Sequence, residues 1–145
     1  MAPTSPEGGI DPIAAADLRR SRERELSDII VMRASWLLPE DRALLLAVYR
    51  DGMQASDIAR LRGESVRSTR HRLRVLIHRV LDPMYIFVLR HRDQWPATRR
   101  RVATARFLQG RSLRQCATHL QLSLHSVRRH VEAIHLLAET SRSQS

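Results

Sequence analysis

The sequence predicts an all-α protein, and three observations carry that reading. Only five Gly and six Pro interrupt 145 residues. No long stretch alternates apolar and polar residues as a half-buried strand would. Apolar side chains recur instead at helical spacing, most clearly between Gly110 and Leu137. Hydrophobic residues make up 43% and aromatics 4%, so the core should be built from Leu, Val, Ile and Ala. The length allows one domain or two very small ones.

Taken in order, residues 1–11 hold two of the six Pro and two of the five Gly and read as a flexible arm. Residues 12–37 read as an N-terminal helix, capped by Asp11 with Pro12 in its first turn. Leu18, Leu26, Ile29, Ile30 and Trp36 give it a ragged apolar face. Arg19, Arg20, Arg22, Glu23, Arg24 and Glu25 give it a solvated face. The apolar face lacks a sustained heptad. It should therefore lie across the rest of the chain, with a homodimer through this helix as the alternative.

Residues 38–81 form a first compact unit. Pro39 opens a helix with Leu44, Leu45, Val48 and Tyr49 on its buried stripe. Asp51-Gly52 ends it. A second helix carries Ile58, Ala59 and Leu61, and Gly63 turns the chain. Ser65 then caps a third helix with Leu73, Leu76, Ile77 and Val80 facing inward. Residues 82–94 read as a short linker helix, with Asp82-Pro83 as cap and first-turn Pro. Residues 95–138 form a second unit. Its first helix is expected over Arg99 to Leu108, with Val102, Ala105 and Phe107 or Leu108 buried. Ser112 and Gln115 make a capping box for the next helix, and Ser123 caps the last. Residues 139–145 are a polar tail.

A shift of 58 residues aligns Gly52 with Gly110, Ala59 with Ala117, Ser65 with Ser123, Ser68 with Ser126 and Arg70 with Arg128. The chain thus reads as two tandem helix-turn-helix units, each ending in a basic helix behind a tight turn.

Net charge is +10, and every basic residue is Arg. Residues 95–145 carry nine Arg against two acids, and residues 39–81 nine against five. The surplus therefore sits in the two units and not in a tail, which points to an acidic partner. A single Cys excludes an intrachain disulfide. No apolar run approaches bilayer length, and no secretory leader is visible, so a cytoplasmic, nucleoid-associated protein is expected.

The first unit resembles region four of bacterial sigma factors. The resemblance rests on Leu38-Pro39, Asp51-Gly52-Met53, Ile58-Ala59, Gly63, Ser65 and Arg70 through Leu73. Arg62 stands where that family has a core Leu, and Thr69 where it has Val. Leu61 is expected to supply the missing apolar contact. The second unit resembles the reader domain of LuxR-type regulators through Gly110, Ser112, Cys116, Ala117, Leu120, Leu122, Ser123, Val127, Arg128, His130 and Ile134. These resemblances imply double-stranded DNA as partner, and for the first unit RNA polymerase as an alternative.

The residues expected at DNA are Arg67, Ser68, Arg70, His71 and Arg72 in the first unit. In the second they are Arg111, Arg114, Leu124, His125, Ser126, Arg128 and Arg129. Arg99, Arg100 and Arg101 are further phosphate contacts. The five-residue spacing of His125, His130 and His135 does not stack ligands on one helical face, so no metal or other cofactor is expected. No phosphate loop, nucleophile elbow or acid pair is present, and an enzyme is the poorest class. The expectation is a sequence-specific transcription regulator. The alternatives are a polymerase-binding factor whose first unit holds protein, and a phage or mobile-element DNA-binding protein.

Overall fold

A computed structural model describes residues 11–144. Of the expected arm only Asp11 falls among them. The described residues are all-helical, with no strand. In chain order they are α1 (Pro12–Arg33), a 3-10 turn (Ala34–Trp36), α2 (Pro39–Tyr49), α3 (Ala55–Arg62) and α4 (Val66–Leu81). There follow α5 (Pro83–His91), a second 3-10 turn (Arg92–Gln94) and α6 (Ala97–Ala103), which runs into a π-turn (Thr104–Leu108). The last two helices are α7 (Leu113–Leu120) and α8 (Leu124–Ser143).

The 58-residue shift recurs in the element boundaries. The 3-10 turns, the starts of α2 and α6, both ends of α3 and α7, and the starts of α4 and α8 all differ by that number. So do the ends of α1 and α5. The helix expected as a linker is therefore the counterpart of the last turns of α1. Backbone hydrogen bonds repeat as well. The N–H of Asp51 donates to the carbonyl of Leu46 at 3.0 Å, and that of Gln109 to Thr104 at 3.0 Å. Gly52 and Gly110 both take φ +73°, the left-handed conformation that ends each first helix.

Each start has a local cause. Ser65 Oγ accepts from the Ser68 amide at 3.0 Å, and Ser123 Oγ from the Ser126 amide at 3.1 Å. The expected capping box closes in both directions, with Gln115 N–H to Ser112 Oγ at 3.1 Å and Ser112 N–H to Gln115 Oε1 at 2.8 Å. Residues 139–143, read as a polar tail, continue α8, and Ala138 just before them is buried.

One apolar core joins both halves. Ile30, Leu37, Leu44, Leu45, Leu73 and Val80 pack in one cluster with Tyr85, Val88, Leu108 and Ile134. A smaller cluster of Val102, Ala105, Cys116, Leu120 and Val127 lies beneath α7 and α8. Polar contacts cross the junction as well. The Tyr85 hydroxyl donates to the Arg33 carbonyl at 2.6 Å. The Arg92 guanidinium lies 4.5 Å over the Trp36 ring. Arg79 Nη1 donates to the Gln109 carbonyl at 3.1 Å.

Three sequence expectations fail in detail. Leu18 and Leu26 are exposed, because α1 meets the core only in its last turns, from Ile30 onward. Leu61 is 77% exposed and does not replace the missing core Leu. Position 62, four residues beyond buried Ile58, lies on the inner stripe, and there Arg62 turns outward to the Glu40 carbonyl at 3.5 Å. Leu137, the last residue of the helical apolar spacing, is 38% exposed, whereas Ala138 beside it is buried.

Candidate nucleic-acid interface

Each half ends in two helices joined by three residues. Between α3 and α4 these are Gly63, Glu64 and Ser65; between α7 and α8 they are Gln121, Leu122 and Ser123. The first residue of each turn is left-handed, Gly63 at φ +67° and Gln121 at φ +57°. The turns carry the same backbone bond, Glu64 N–H to the Ala59 carbonyl at 2.9 Å and Leu122 N–H to the Ala117 carbonyl at 3.0 Å. Buried Ala59 and half-buried Ala117 let the paired helices approach.

The first turns of α8 present His125, Arg128 and Arg129 to solvent, while Leu124 and Ser126 are half-buried. No acid occurs between Asp93 and Glu132, a stretch that holds Arg99, Arg100, Arg101, Arg106, Arg111, Arg114, Arg128 and Arg129. This stretch therefore carries a surplus of positive charge. On α4, Arg67, Ser68, Arg70 and His71 are exposed. Arg72 is not free. It pairs with Asp41 at 3.3 Å and Glu64 at 3.5 Å, and Glu64 also accepts from the hydroxyl of buried Thr69 at 3.3 Å.

Seven of the twelve expected site residues line three separate concavities. Arg111 and Arg114 line a cleft of about 570 Å³ between the halves, opposite Leu38, Asp41 and Arg79. Arg111 Nε donates to Gln109 Oε1 at 3.1 Å, which fixes it on that wall. His71 and Arg72 line a groove of about 280 Å³ that also contains Asp41 and Arg79, so groove and cleft adjoin. His125, Ser126 and Arg129 lie elsewhere, in a pocket of about 310 Å³ with Arg99 and His130.

Electrostatics differ between these places. Burial pushes the Arg79 guanidinium below its ordinary value, and nearby Asp41 opposes that shift. Burial, then the charges of Arg99 and Arg129, push His130 below the ordinary imidazole value. Cys116 is fully buried with its thiol raised by burial, the behaviour of a core side chain and not of a nucleophile. Sequence reading gave Arg79 and His130 no role at an interface. A 58-residue shift applied to Asp41 and Arg72 would have pointed to Arg99 and His130.

No protein family, no curated protein and no solved structure matches the chain. Among the described residues no helix is long and apolar enough to cross a membrane.

Proposed function

We propose that this chain is a sequence-specific DNA-binding protein that regulates transcription, and that α8 is its principal reading helix. One observation carries the reading. A helix held behind a tight three-residue turn presents His125, Arg128 and Arg129 at its exposed start, within a stretch free of acids. Such a helix fits a major groove, where Arg donates two hydrogen bonds to a guanine edge and neighbouring Arg side chains neutralise phosphates. In this reading α3–α4 and α7–α8 are helix-turn-helix units.

Selection of bound sequences from a random duplex pool tests this. An enriched motif is expected, with affinity falling steeply as salt rises. Arg128→Ala should weaken binding to that motif by about 10- to 100-fold, matching roughly 1–3 kcal/mol per base contact. Arg129→Ala should weaken it with a shallower salt dependence, as the loss of a phosphate contact. Both side chains are exposed, so thermal unfolding should not move. No enriched motif, or unchanged affinity in the double variant, would count against the reading.

A second reading is favoured by one contact. Arg72 on α4 is neutralised by Asp41 and Glu64, which leaves the first half less cationic where a second DNA reader would need charge. There the first half holds a protein such as RNA polymerase. Retention of the full chain on polymerase without DNA would support it.

A further inference from the structure

The internal repeat allows one half of the molecule to be read against the other. In the first half, Asp41 sits in the first turn of α2 and faces α4. Its carboxylate meets Arg72 at 3.3 Å and Arg79 at 4.0 Å. Shifted by 58 residues, the same concavity reappears between α6 and α8. Asp41, His71, Arg72 and Val75 line the first, and Arg99, Arg129, His130 and Ala133 the second. The chemistry is changed at each charged point. Arg99 replaces Asp41, His130 replaces Arg72, Leu122 replaces Glu64, and Leu137 replaces Arg79.

The second concavity therefore contains cations and donors without their carboxylates. Arg99, His125, Ser126, Arg129, His130 and Ala133 line it, and no Asp or Glu does. On two of its lining residues, Arg99 Nε and His130 Nδ1 are buried with no hydrogen-bond partner in the protein, as is Arg42 Nε in the first half. A buried polar atom without a partner is costly, and a guanidinium beside a second guanidinium and an imidazole adds repulsion. An anion supplies what Asp41 supplies to Arg72 in the other half: an acceptor for guanidinium N–H groups and a countercharge. A phosphate oxyanion suits the group, because Arg99 and Arg129 can each donate paired N–H groups to its oxygens.

We infer that the pocket between α6 and α8 binds a phosphate oxyanion through Arg99, Arg129, His130 and His125, in the place that the Asp41 carboxylate fills in the first half. The inference deepens the DNA-binding reading when the oxyanion is a backbone phosphodiester, but its geometry stands without that reading. A free phosphate or phosphate monoester presents the same chemistry.

The groups facing His130 are Arg99 from α6 and His125 and Arg129 from its own helix; α7 adds no charge to the pocket lining. An anion there should favour the imidazolium, so the test follows the His130 ring by NMR as pH is varied at fixed ionic strength. With inorganic phosphate the midpoint should rise by at least half a unit over chloride. In Arg99→Asp the midpoint should already be higher without phosphate and should no longer respond to it. Arg99→Gln, checked for fold by circular dichroism, serves if the Asp variant does not fold. A ring that ignores phosphate and duplex DNA alike overturns the proposal, as does an Arg99→Asp protein that responds like the wild type.

A duplex of about two helical turns separates the two sources. If the oxyanion belongs to the DNA backbone, Arg99→Gln lowers the slope of log affinity against log salt by about 0.9. If it is a free phosphate ester, phosphate still moves His130 and that slope is unchanged. If the chain binds no duplex yet His130 answers to phosphate, the DNA reading falls and the pocket stands.

Discussion

Gly110→Ala offers a test of how the halves are joined, with Gly52→Ala as its internal control. Both glycines sit at φ +73° at equivalent points of the repeat. A side chain there costs about 1–2 kcal/mol, because the left-handed conformation crowds Cβ against the carbonyl oxygen. The surroundings differ. A Cβ on Gly52 meets nothing within 4 Å, whereas one on Gly110 would stand inside the Arg79 guanidinium. Arg79 must then swing away and give up its 3.1 Å bond to the Gln109 carbonyl and its place 4.0 Å from Asp41. Its side chain is 21% exposed and lines the cleft between the halves, so solvent replaces only part of what is lost. A charged hydrogen bond of this kind contributes roughly 1.5–3 kcal/mol. Gly110→Ala should thus cost about 2 kcal/mol more than Gly52→Ala. With a urea slope of about 1–3 kcal/mol per molar, the two midpoints should differ by about 0.7–2 M. Gly110→Ala made in an Arg79→Ala background should cost no more than Gly52→Ala does. Equal midpoints for the two glycine variants in the wild-type background would refute the reasoning, since the left-handed cost is common to both.

Three further outcomes are expected. Arg62→Leu should stabilise the fold by about 1–2 kcal/mol, because its counterpart Leu120 is 8% exposed, while Leu61→Ala should change urea unfolding by less than about 0.5 kcal/mol. Tyr85→Phe should cost about 1–2 kcal/mol by removing the hydroxyl bond to Arg33. Burial pushes the Tyr85 phenol up to about 12, so its neutral form is favoured by folding. Its contribution should be complete below pH 10 and lost between about 10 and 12. That loss amounts to roughly 2–3 kcal/mol, seen as a flatter alkaline stability profile in Tyr85→Phe. His130 is shifted the other way, its folded value lying below its unfolded one. It should contribute fully above about pH 6.5 and destabilise the fold as pH falls below that. His130→Gln should remove that part of the acid dependence of the urea midpoint.

Much of the architecture was legible in the sequence because its signals are local. Helical spacing of Leu, Val and Ile, Ser65, Ser112 and Ser123 as caps, and Gly52 and Gly110 as stops act within a few residues of themselves. They fixed the fold class, the bounds of α2, α4 and α7 to within a residue or two, and the register of the repeat. Charge could be read too, since its distribution along α7 and α8 needs no coordinates.

Tertiary structure decided what depends on neighbours distant in sequence. Only packing shows that Leu18 and Leu26 lie beyond the reach of the core, or that α5 repeats the end of α1. Only packing sets Arg72 against Asp41 and Glu64, so that one of the expected DNA residues is spent within the protein. It likewise gathers Arg99 and His130, distant in sequence, around one pocket. The physical reason is the range of the interactions. Capping and periodicity are set along the backbone, whereas an ion pair or an orphaned donor exists only where separate helices bring side chains within a few ångströms.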